Sequence, residues 1–301
     1  MTKKILFLLF FTFHVSRFTS LNAGFLDVSP GKTGVSFLRV PLSARVVALG
    51  NCGAGASGAD FIERNPASFY GCETAMQFSH LNYFEGLSLN QAGIFLNFRD
   101  GYDTFSGNKL EHFICLEIKN FSSSDDRRDM LTGEKTGSFG INNRCLRLAY
   151  AFEKKDVRYG IAGKSVTEKI DESSSDGFAF DFGMIRWLGE TASFGLSVQN
   201  IGRDISSSPL PLTVSAGFSI EGLRDCLLLD IEKTEEEESK MSCGIEHSLD
   251  FMELRAGISR QDILRPSAGF GIKRGHFAID YAFSFHRYLG GNHLFTVSAR
   301  F

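Results

Sequence analysis

Few residues of this 301-residue chain have the type and spacing of a reactive centre. Four consecutive glutamates at 235–238 could supply oxygen ligands to a divalent cation, but such a run is more typical of a solvated, self-repelling loop. His276, His286 and His293 lack the spacing of a metal site and suit loop or lumen positions. No nucleophile elbow or zinc-binding helix motif occurs. The sequence therefore predicts a non-enzyme with no catalytic residues, no metal site and no cofactor.

The six cysteines do not select a disulfide pattern. They lie at positions 52, 72, 115, 145, 226 and 243, without a CxxC pair. An even count permits disulfides in an exported chain, but the wide spacing favours no particular pairing. By alternation along its strand, Cys243 falls on the apolar side, which suits a free, buried thiol.

The most distinctive stretch is rich in small residues. Glycines and alanines interleave between residues 48 and 59, and they allow backbones to approach closely. The stretch lacks the Gly-Lys-Ser/Thr ending of a phosphate loop. Asn65-Pro66 is a turn signal, because asparagine can bond to the backbone locally and proline fixes φ. From the residues alone, this stretch is a compact glycine-rich connector.

From residue 74 onward the chain alternates between apolar and polar residues in short segments bounded by turn residues. Phe178, Phe180 and Phe182, for example, oppose Asp181. About fourteen such segments can be counted. The net charge of −3 offers no polybasic face for nucleic acid, and the mean hydropathy of −0.05 argues against a helical membrane bundle. Alternation alone also fits a soluble β-sandwich.

Two features favour a transmembrane barrel over a sandwich. The chain ends in a strand whose apolar face carries Phe295, Val297, Ala299 and Phe301. Short and long connections also alternate, and the long ones are predicted at 121–137, 168–177, 201–210, 232–240, 259–266 and 286–292. The connection at 99–111 breaks this rule. The predicted fold class is an all-β, antiparallel transmembrane barrel of about fourteen strands.

The N-terminus predicts export. Lys3 and Lys4 precede an apolar run at 5–15 that is too short to span a bilayer as a helix. Leu21-Asn22-Ala23 could be the cleavage site, so residues 1–23 are assigned to a signal peptide. The predicted location is the outer membrane.

Residues 37–70 resemble the N-terminal signature of the PorV/PorQ family of outer-membrane barrels and, more distantly, FadL-type long-chain fatty-acid transporters, including spirochaetal FadL-like proteins. The matching residues are Ala44, Arg45, Gly50, Gly53, Ala54, Gly58, Asn65, Pro66 and Ala67. Further matches lie at 198–202, 209–211 and 280–283 and lead into the terminal strand.

The resemblance implies a fourteen-stranded barrel (73–301) with an N-terminal plug in its lumen (24–72). A lumen of that width cannot be filled by wall side chains alone. The implied function is passive transport or binding of hydrophobic small molecules such as fatty acids. The alternatives are a PorV-like protein-interaction barrel in type IX secretion and a structural barrel. The implied partners are outer-membrane lipid, a hydrophobic ligand and the barrel-assembly machinery.

Overall fold

The computed structural model describes residues 33–69, 74–83, 87–98, 112–154 and 156–301. The predicted signal peptide, Cys72 and the connection at 99–111 lie outside the described residues. The strands are β1 (Ala75–Asn82), β2 (Ser88–Phe98), β3 (His112–Arg128), β4 (Lys135–Lys154), β5 (Val157–Ile170), β6 (Ser173–Trp187), β7 (Ala192–Gly202), β8 (Thr213–Glu221), β9 (Asp225–Thr234), β10 (Lys240–Ser248), β11 (Met252–Arg260), β12 (Leu264–Arg274), β13 (Phe277–His286) and β14 (Gly290–Arg300).

All fourteen strands form one closed barrel. Each strand pairs antiparallel with its sequence neighbours, and β1 closes the barrel by pairing with β14, from Ala75 opposite Arg300 to Asn82 opposite His293. Closure leaves no strand edge unpaired within a bilayer, where water cannot satisfy backbone groups. The predicted fold class and strand number are confirmed.

Side chains alternate across the wall as the sequence pattern predicted. On β14, Phe295, Val297 and Phe301 point outward and are 49%, 45% and 66% exposed, whereas Thr296 between them is buried. The same rule holds on β6, where outward phenylalanines flank the buried Asp181. The outward apolar ring is the lipid-facing surface, and the inward face is polar.

Four strands project past one end of the barrel. β3, β4, β5 and β6 contain 17, 20, 14 and 15 residues. The predicted long loops at 121–137 and 168–177 are therefore wrong, because most of their residues belong to these strands. Their polar composition suggested loops, but a paired strand outside the bilayer can expose both faces to water. We call residues 123–140 and 167–178 the extension, and the end of the barrel that carries them the extended end.

The N-terminal segment, residues 33–69, contains only short helical turns. These are one α-helix, α1 (Ala44–Ala48), and the 3₁₀ helices Ser36–Arg39, Ala59–Phe61 and Pro66–Ser68. Among the described residues, no helix is long and apolar enough to cross a membrane.

A lysine on the outward face should destabilise the barrel according to its depth. We expect Val297→Lys, in the middle of the outward row of β14, to lower the free energy of unfolding by about 2–4 kcal/mol, and Phe301→Lys at the chain end by about 0–1 kcal/mol. The difference arises because a charge near the interface remains hydrated. Urea titration in lipid vesicles measures both values. Equal losses for the two variants would contradict the lipid-facing assignment.

Candidate functional site in the barrel lumen

The N-terminal segment lies inside the barrel and bonds to inward-facing residues around the wall. The Ala44 N–H donates to Thr296 Oγ1 of β14 at 3.0 Å. The Gly50 N–H donates to Ser267 Oγ of β12 at 3.1 Å. On the other side of the lumen, Ser193 Oγ of β7 donates to the carbonyl of residue 55 at 2.7 Å. The segment therefore spans the lumen rather than lying along one strand.

Inward-facing glycines of the wall let the segment backbone approach closely. A side-chain carbon at Gly160 of β5 would lie 2.2 Å from the Pro66 carbonyl carbon, and one at Gly195 of β7 would lie 1.9 Å from the Ala54 oxygen. Sequence analysis missed these glycines. The signal that could have found them is a glycine at a polar-face position of a strand. The full set is Gly160, Gly183, Gly195, Gly217, Gly244, Gly257 and Gly269.

The predicted glycines of the segment occupy positions that a side chain would disturb. Gly50 and Gly53 have φ values of 72° and 143°, which other residues rarely adopt. A side-chain carbon at Gly53 would also lie 2.3 Å from Phe61 Cδ1. The consecutive N–H groups of Gly53 and Ala54 donate to Asp230 Oδ2 at 2.8 and 2.9 Å, so a buried wall carboxylate holds this turn.

Asn65 joins the segment to itself and to the wall. Its Oδ1 accepts from the Ala67 N–H at 2.9 Å, and its Nδ2 donates to the Ala54 carbonyl at 2.7 Å. Nδ2 also reaches wall carbonyls of β6 and β7, each at 3.2 Å. Pro66 starts the 3₁₀ helix Pro66–Ser68, where its fixed φ is favourable and its missing N–H is not needed. The Asn-Pro-Ala run is thus a buried turn against the wall.

Arg45 links α1 to β10 of the neighbouring wall. Its Nε and Nη2 donate to the two carboxylate oxygens of Glu246 on β10, at 2.8 and 2.6 Å. The guanidinium also lies 3.7 Å from Asp60 and 5.0 Å from the Phe61 ring centre. Gly58, with φ of 128°, passes close to Arg45. The structure thus brings the predicted arginine and glycine together.

Two further charged residues of the segment, Glu63 and Arg64, form ion pairs with the wall that were not predicted from the sequence. Arg64 Nη2 lies 2.5 Å from Glu232 Oε2 and 3.6 Å from Asp230 Oδ2, both on β9. On the other side, Lys119 of β3 forms an ion pair with Glu63. The adjacent residues Glu63 and Arg64 have opposite charges. They pair with oppositely charged side chains on separate parts of the wall, β3 and β9.

The pKa values of the segment carboxyls reflect these pairs. Burial by itself raises the pKa of Asp60, but the Arg45 guanidinium and a hydrogen bond from Ser43 lower it below the ordinary 3.8. Burial likewise acts to raise the pKa of Glu63, and the Lys119 ammonium lowers it below the ordinary 4.5. Both carboxylates are thus stabilised in the charged form.

Acid should loosen the segment. Because both pKa values are lowered in the folded state, the unfolded state takes up protons first, and acid favours it. The stabilisation is complete above about pH 4.5 and is lost as the pH falls through the lowered folded-state values. We expect hydrogen-exchange protection of residues 33–69, corrected for intrinsic rates, to fall on acidification, and the Asp60→Asn/Glu63→Gln variant to show a weaker pH dependence. Equal protection at neutral and acidic pH in the wild type would contradict this.

The middle of the lumen is lined by ion pairs within the wall. Arg255 of β11 contacts Glu246 at 2.6 Å and Asp280 at 2.5 Å, and it also pairs with Glu253. A second cluster lies on β3 to β6 and consists of Arg147, Lys164, Glu117 and Asp181. Because each buried charge has a partner, this zone is highly polar without a large excess of one charge.

Apolar clusters flank this polar zone. Near the extended end, Phe37 of the segment stacks on Phe121 of β3 with ring centres 6.3 Å apart, within a cluster that includes Leu81, Leu89, Ile205, Leu210 and Leu294. Near the opposite end, Phe69 packs edge-on against Phe95 and Phe113 at 5.4 and 5.2 Å. The segment therefore packs against apolar residues of the wall at two levels of the lumen.

Small cavities lie between the segment and the wall, and Leu38 and Glu63 line two of them. One adjoins Arg64 and Glu232, and the other adjoins the Arg147 cluster. Among the described residues, no group of three or more His, Cys, Asp or Glu side chains is arranged to hold a metal ion.

Five of the cysteines are free thiols, namely Cys52, Cys115, Cys145, Cys226 and Cys243. Cys243 is a free thiol, as predicted, but it points to the outward face of β10 and is only partly buried. The prediction that it is buried is therefore wrong. The residue lies on the apolar side as predicted, but that side faces lipid rather than a protein core. Burial raises the pKa of the Cys52 thiol, which is therefore protonated and unreactive.

The matched run at 198–202 forms a bulge between β6 and β7. The register shifts between Phe180 and Phe182, and Asn200 takes φ of 61°. The Asn200 N–H donates to Asp181 Oδ1 at 2.9 Å, and its side chain accepts from Lys164 at 2.7 Å. The bulge thus directs the Asn200 side chain toward the charged zone of the lumen.

Comparisons with known proteins extend only to fold. No family model and no curated protein matches the chain. Among solved structures, the CymD monoaromatic hydrocarbon channel matches with a TM-score of 0.61 at 12% identity, covering 89% of this chain and 99% of that one. The Pseudomonas putida toluene transporter TodX matches with a TM-score of 0.54 at 12% identity, covering 85% and 96%. The chain therefore shares the barrel fold of these hydrocarbon channels.

Proposed function

We propose that this chain is an outer-membrane barrel, exported by its signal peptide, that admits small hydrophobic molecules. Long-chain fatty acids are the proposed substrate class. The observation that carries the proposal is the apolar cluster of Phe37, Phe121 and their neighbours near the extended end. It offers an apolar ligand a binding surface where the segment meets the wall. The barrel fold shared with CymD and TodX supports the proposal.

In this proposal, residues 24–72 are a plug that must shift before a ligand passes. The polar zone below the apolar cluster offers a hydrocarbon few favourable contacts, because charged side chains line it. The wall ladder need not change when the segment moves, since every strand keeps its two neighbours. Asn65 and the glycines at 50–58 set how firmly the plug is held.

The test is uptake of a fluorescent long-chain fatty acid, and separately of toluene, by vesicles bearing the protein. We expect Phe37→Asp to reduce uptake, because it places a charge in the apolar cluster, and Asn65→Ala or Gly53→Val to change it by loosening the plug. Thr132→Asp, on the exposed tip of the extension, is the matched control. Absence of uptake by the wild type, or unchanged uptake in all three lumen variants, would refute the transport proposal.

A second candidate is a protein-interaction barrel, like PorV in type IX secretion. The extension favours it, because paired strands that project into water provide a rigid surface away from the lumen. A barrel that neither transports nor binds a partner would be structural, the third alternative.

A further inference from the structure

Among the described residues, the extension has three strand edges without a pairing strand. β4 pairs with β5 only from Ile141, so residues 135–139 are open on the side away from β3. β2 pairs with β3 only as far as Ser122, so no described strand pairs with β3 beyond it on that side. On the other side, β7 pairs with β6 only from Ala179, so no described strand pairs with residues 173–178 on the side away from β5. Free edges carry unpaired backbone N–H and C=O groups and can accept another strand.

The three edges differ in how they are protected. Along β3, the edge carries Asp125, Asp126, Arg127 and Arg128, and charges of this kind discourage edge-to-edge pairing. Along β6, the edge reads Ser-Ser-Ser-Asp-Gly at 173–177 and contains no lysine, arginine or proline. The small side chains leave its backbone accessible. The short β4 edge carries Lys135 at its end and lies beside the turn 171–172, where the Asp171 N–H bonds to the Gly140 carbonyl. Of the three edges, that of β6 therefore has the composition best suited to accept a strand.

The turn sets which backbone groups point outward from β6. The connection to β5 is the two-residue turn 171–172, and Ile170 is opposite Ser173. In such hairpins the residues flanking the turn bond to each other, and bonding then alternates along the ladder. Ser174 and Asp176 therefore direct their N–H and C=O groups away from β5. Two donors and two acceptors are presented at antiparallel spacing.

Acidic groups outnumber basic ones around this edge, since Glu168, Glu172, Asp176 and Asp204 face only Lys169, opposite Ser174, and Arg203. Glu172 and Asp176 are exposed on β6 and its turn. The 203–212 connection packs over one face of β6 next to this edge, because a side-chain carbon at Gly177 would lie 2.4 Å from Ile205. Asp204 of this connection lies near Glu235 of the next long connection, and burial, together with Glu236 and Asp204, raises the pKa of Glu235. These acids favour a cationic neighbour.

We propose that residues 173–177 of β6 are a docking edge for an extended, basic segment of another protein, which adds a strand to the extension. Backbone bonds at Ser174 and Asp176 would supply the pairing, and lysine or arginine side chains of the partner would meet Asp176 and Asp204. This inference names a partner chemistry for the protein-interaction role and does not rest on transport.

The probe is a fluorescent peptide of alternating lysine and valine, long enough to span 173–177, titrated against the full chain in detergent micelles. The matched peptides carry glutamate in place of lysine, or N-methyl groups on alternate residues to remove N–H donors. We expect saturable binding of the basic peptide, and binding at least about tenfold weaker for either matched peptide.

Variants separate the edge from general charge attraction. Ser174→Pro removes an outward N–H without breaking the β5 ladder, since proline is tolerated on edge strands. We expect Ser174→Pro and the Asp176→Lys/Asp204→Lys variant to weaken binding at least about tenfold, and Asp126→Lys, on the β3 edge, to leave it within about twofold. Heat-modifiable gel migration checks that each variant is folded.

Equal binding of the basic and N-methylated peptides, or equal losses at Asp126 and at Asp176/Asp204, would overturn the docking edge. Fatty-acid uptake by the Ser174→Pro variant should match the wild type. A loss of peptide binding therefore remains distinguishable from a failure of the transport proposal.

Discussion

Replacing Gly160 with leucine should open the lumen to ions. Gly160 lies on the inward face of β5, where an added carbon would meet the backbone of Pro66 and Ala67 at 2.2–2.3 Å. Backbone cannot yield as a flexible side chain can, so the Asn-Pro-Ala turn must leave the wall. A fourteen-stranded lumen is too wide for wall side chains to fill, so we expect single-channel conductance in planar bilayers to rise at least about tenfold over that of the wild type.

The matched control is Gly163→Leu on the same strand. Gly163 points outward, and an added carbon there meets only the Phe180 ring, at an ordinary 3.8 Å. This variant should conduct like the wild type. If Gly160→Leu also conducts like the wild type while remaining heat-modifiable, the segment does not seal the lumen. If both variants conduct strongly, the barrel wall itself has been disturbed.

Removing the charge of Arg64 should cost the largest amount of stability among single side chains of the segment. Its guanidinium is buried against Glu232 and Asp230. Arg64→Leu leaves Glu232 with Lys240 alone and takes the cation away from Asp230. Breaking a buried pair by removing one partner typically costs about 3–5 kcal/mol. We expect a loss of this size in the free energy that holds residues 33–69 in place, measured by native-state hydrogen exchange.

Two further variants test the physical cause. Arg64→Leu combined with Asp230→Asn removes both the cation and the carboxylate charge that loses it, and should recover much of the loss, because an amide oxygen can still accept from Gly53 and Ala54. Arg144→Leu removes an arginine from the exposed face of β4 and should change stability by no more than about 0.5 kcal/mol. A loss in the double variant as large as in the single one would show that packing, rather than charge pairing, makes Arg64 important.

The sequence by itself determined the fold class, because a barrel strand repeats every two residues and its two faces meet different solvents. The lipid-facing side of the last strand can be identified from its own residues, Phe295, Val297 and Phe301, without information on any other strand. The strand number followed from counting such segments. The rule that a strand alternates between apolar and polar residues does not apply to the parts of strands that project beyond the bilayer. At 121–137 and 168–177 no apolar face is needed, so strand and loop have the same composition.

Only the tertiary structure decided what fills the lumen and how it is held. Glu63, Arg64 and Gly160 have no local pattern that distinguishes them from solvated charges or flexible glycine. Their partners lie far away in sequence, as Arg64 and Glu232 do, and barrel closure brings them together. The alternation of residues along a strand indicates whether each of its faces contacts lipid or the polar lumen. It does not report which charge or backbone another part of the chain will present across a closed lumen.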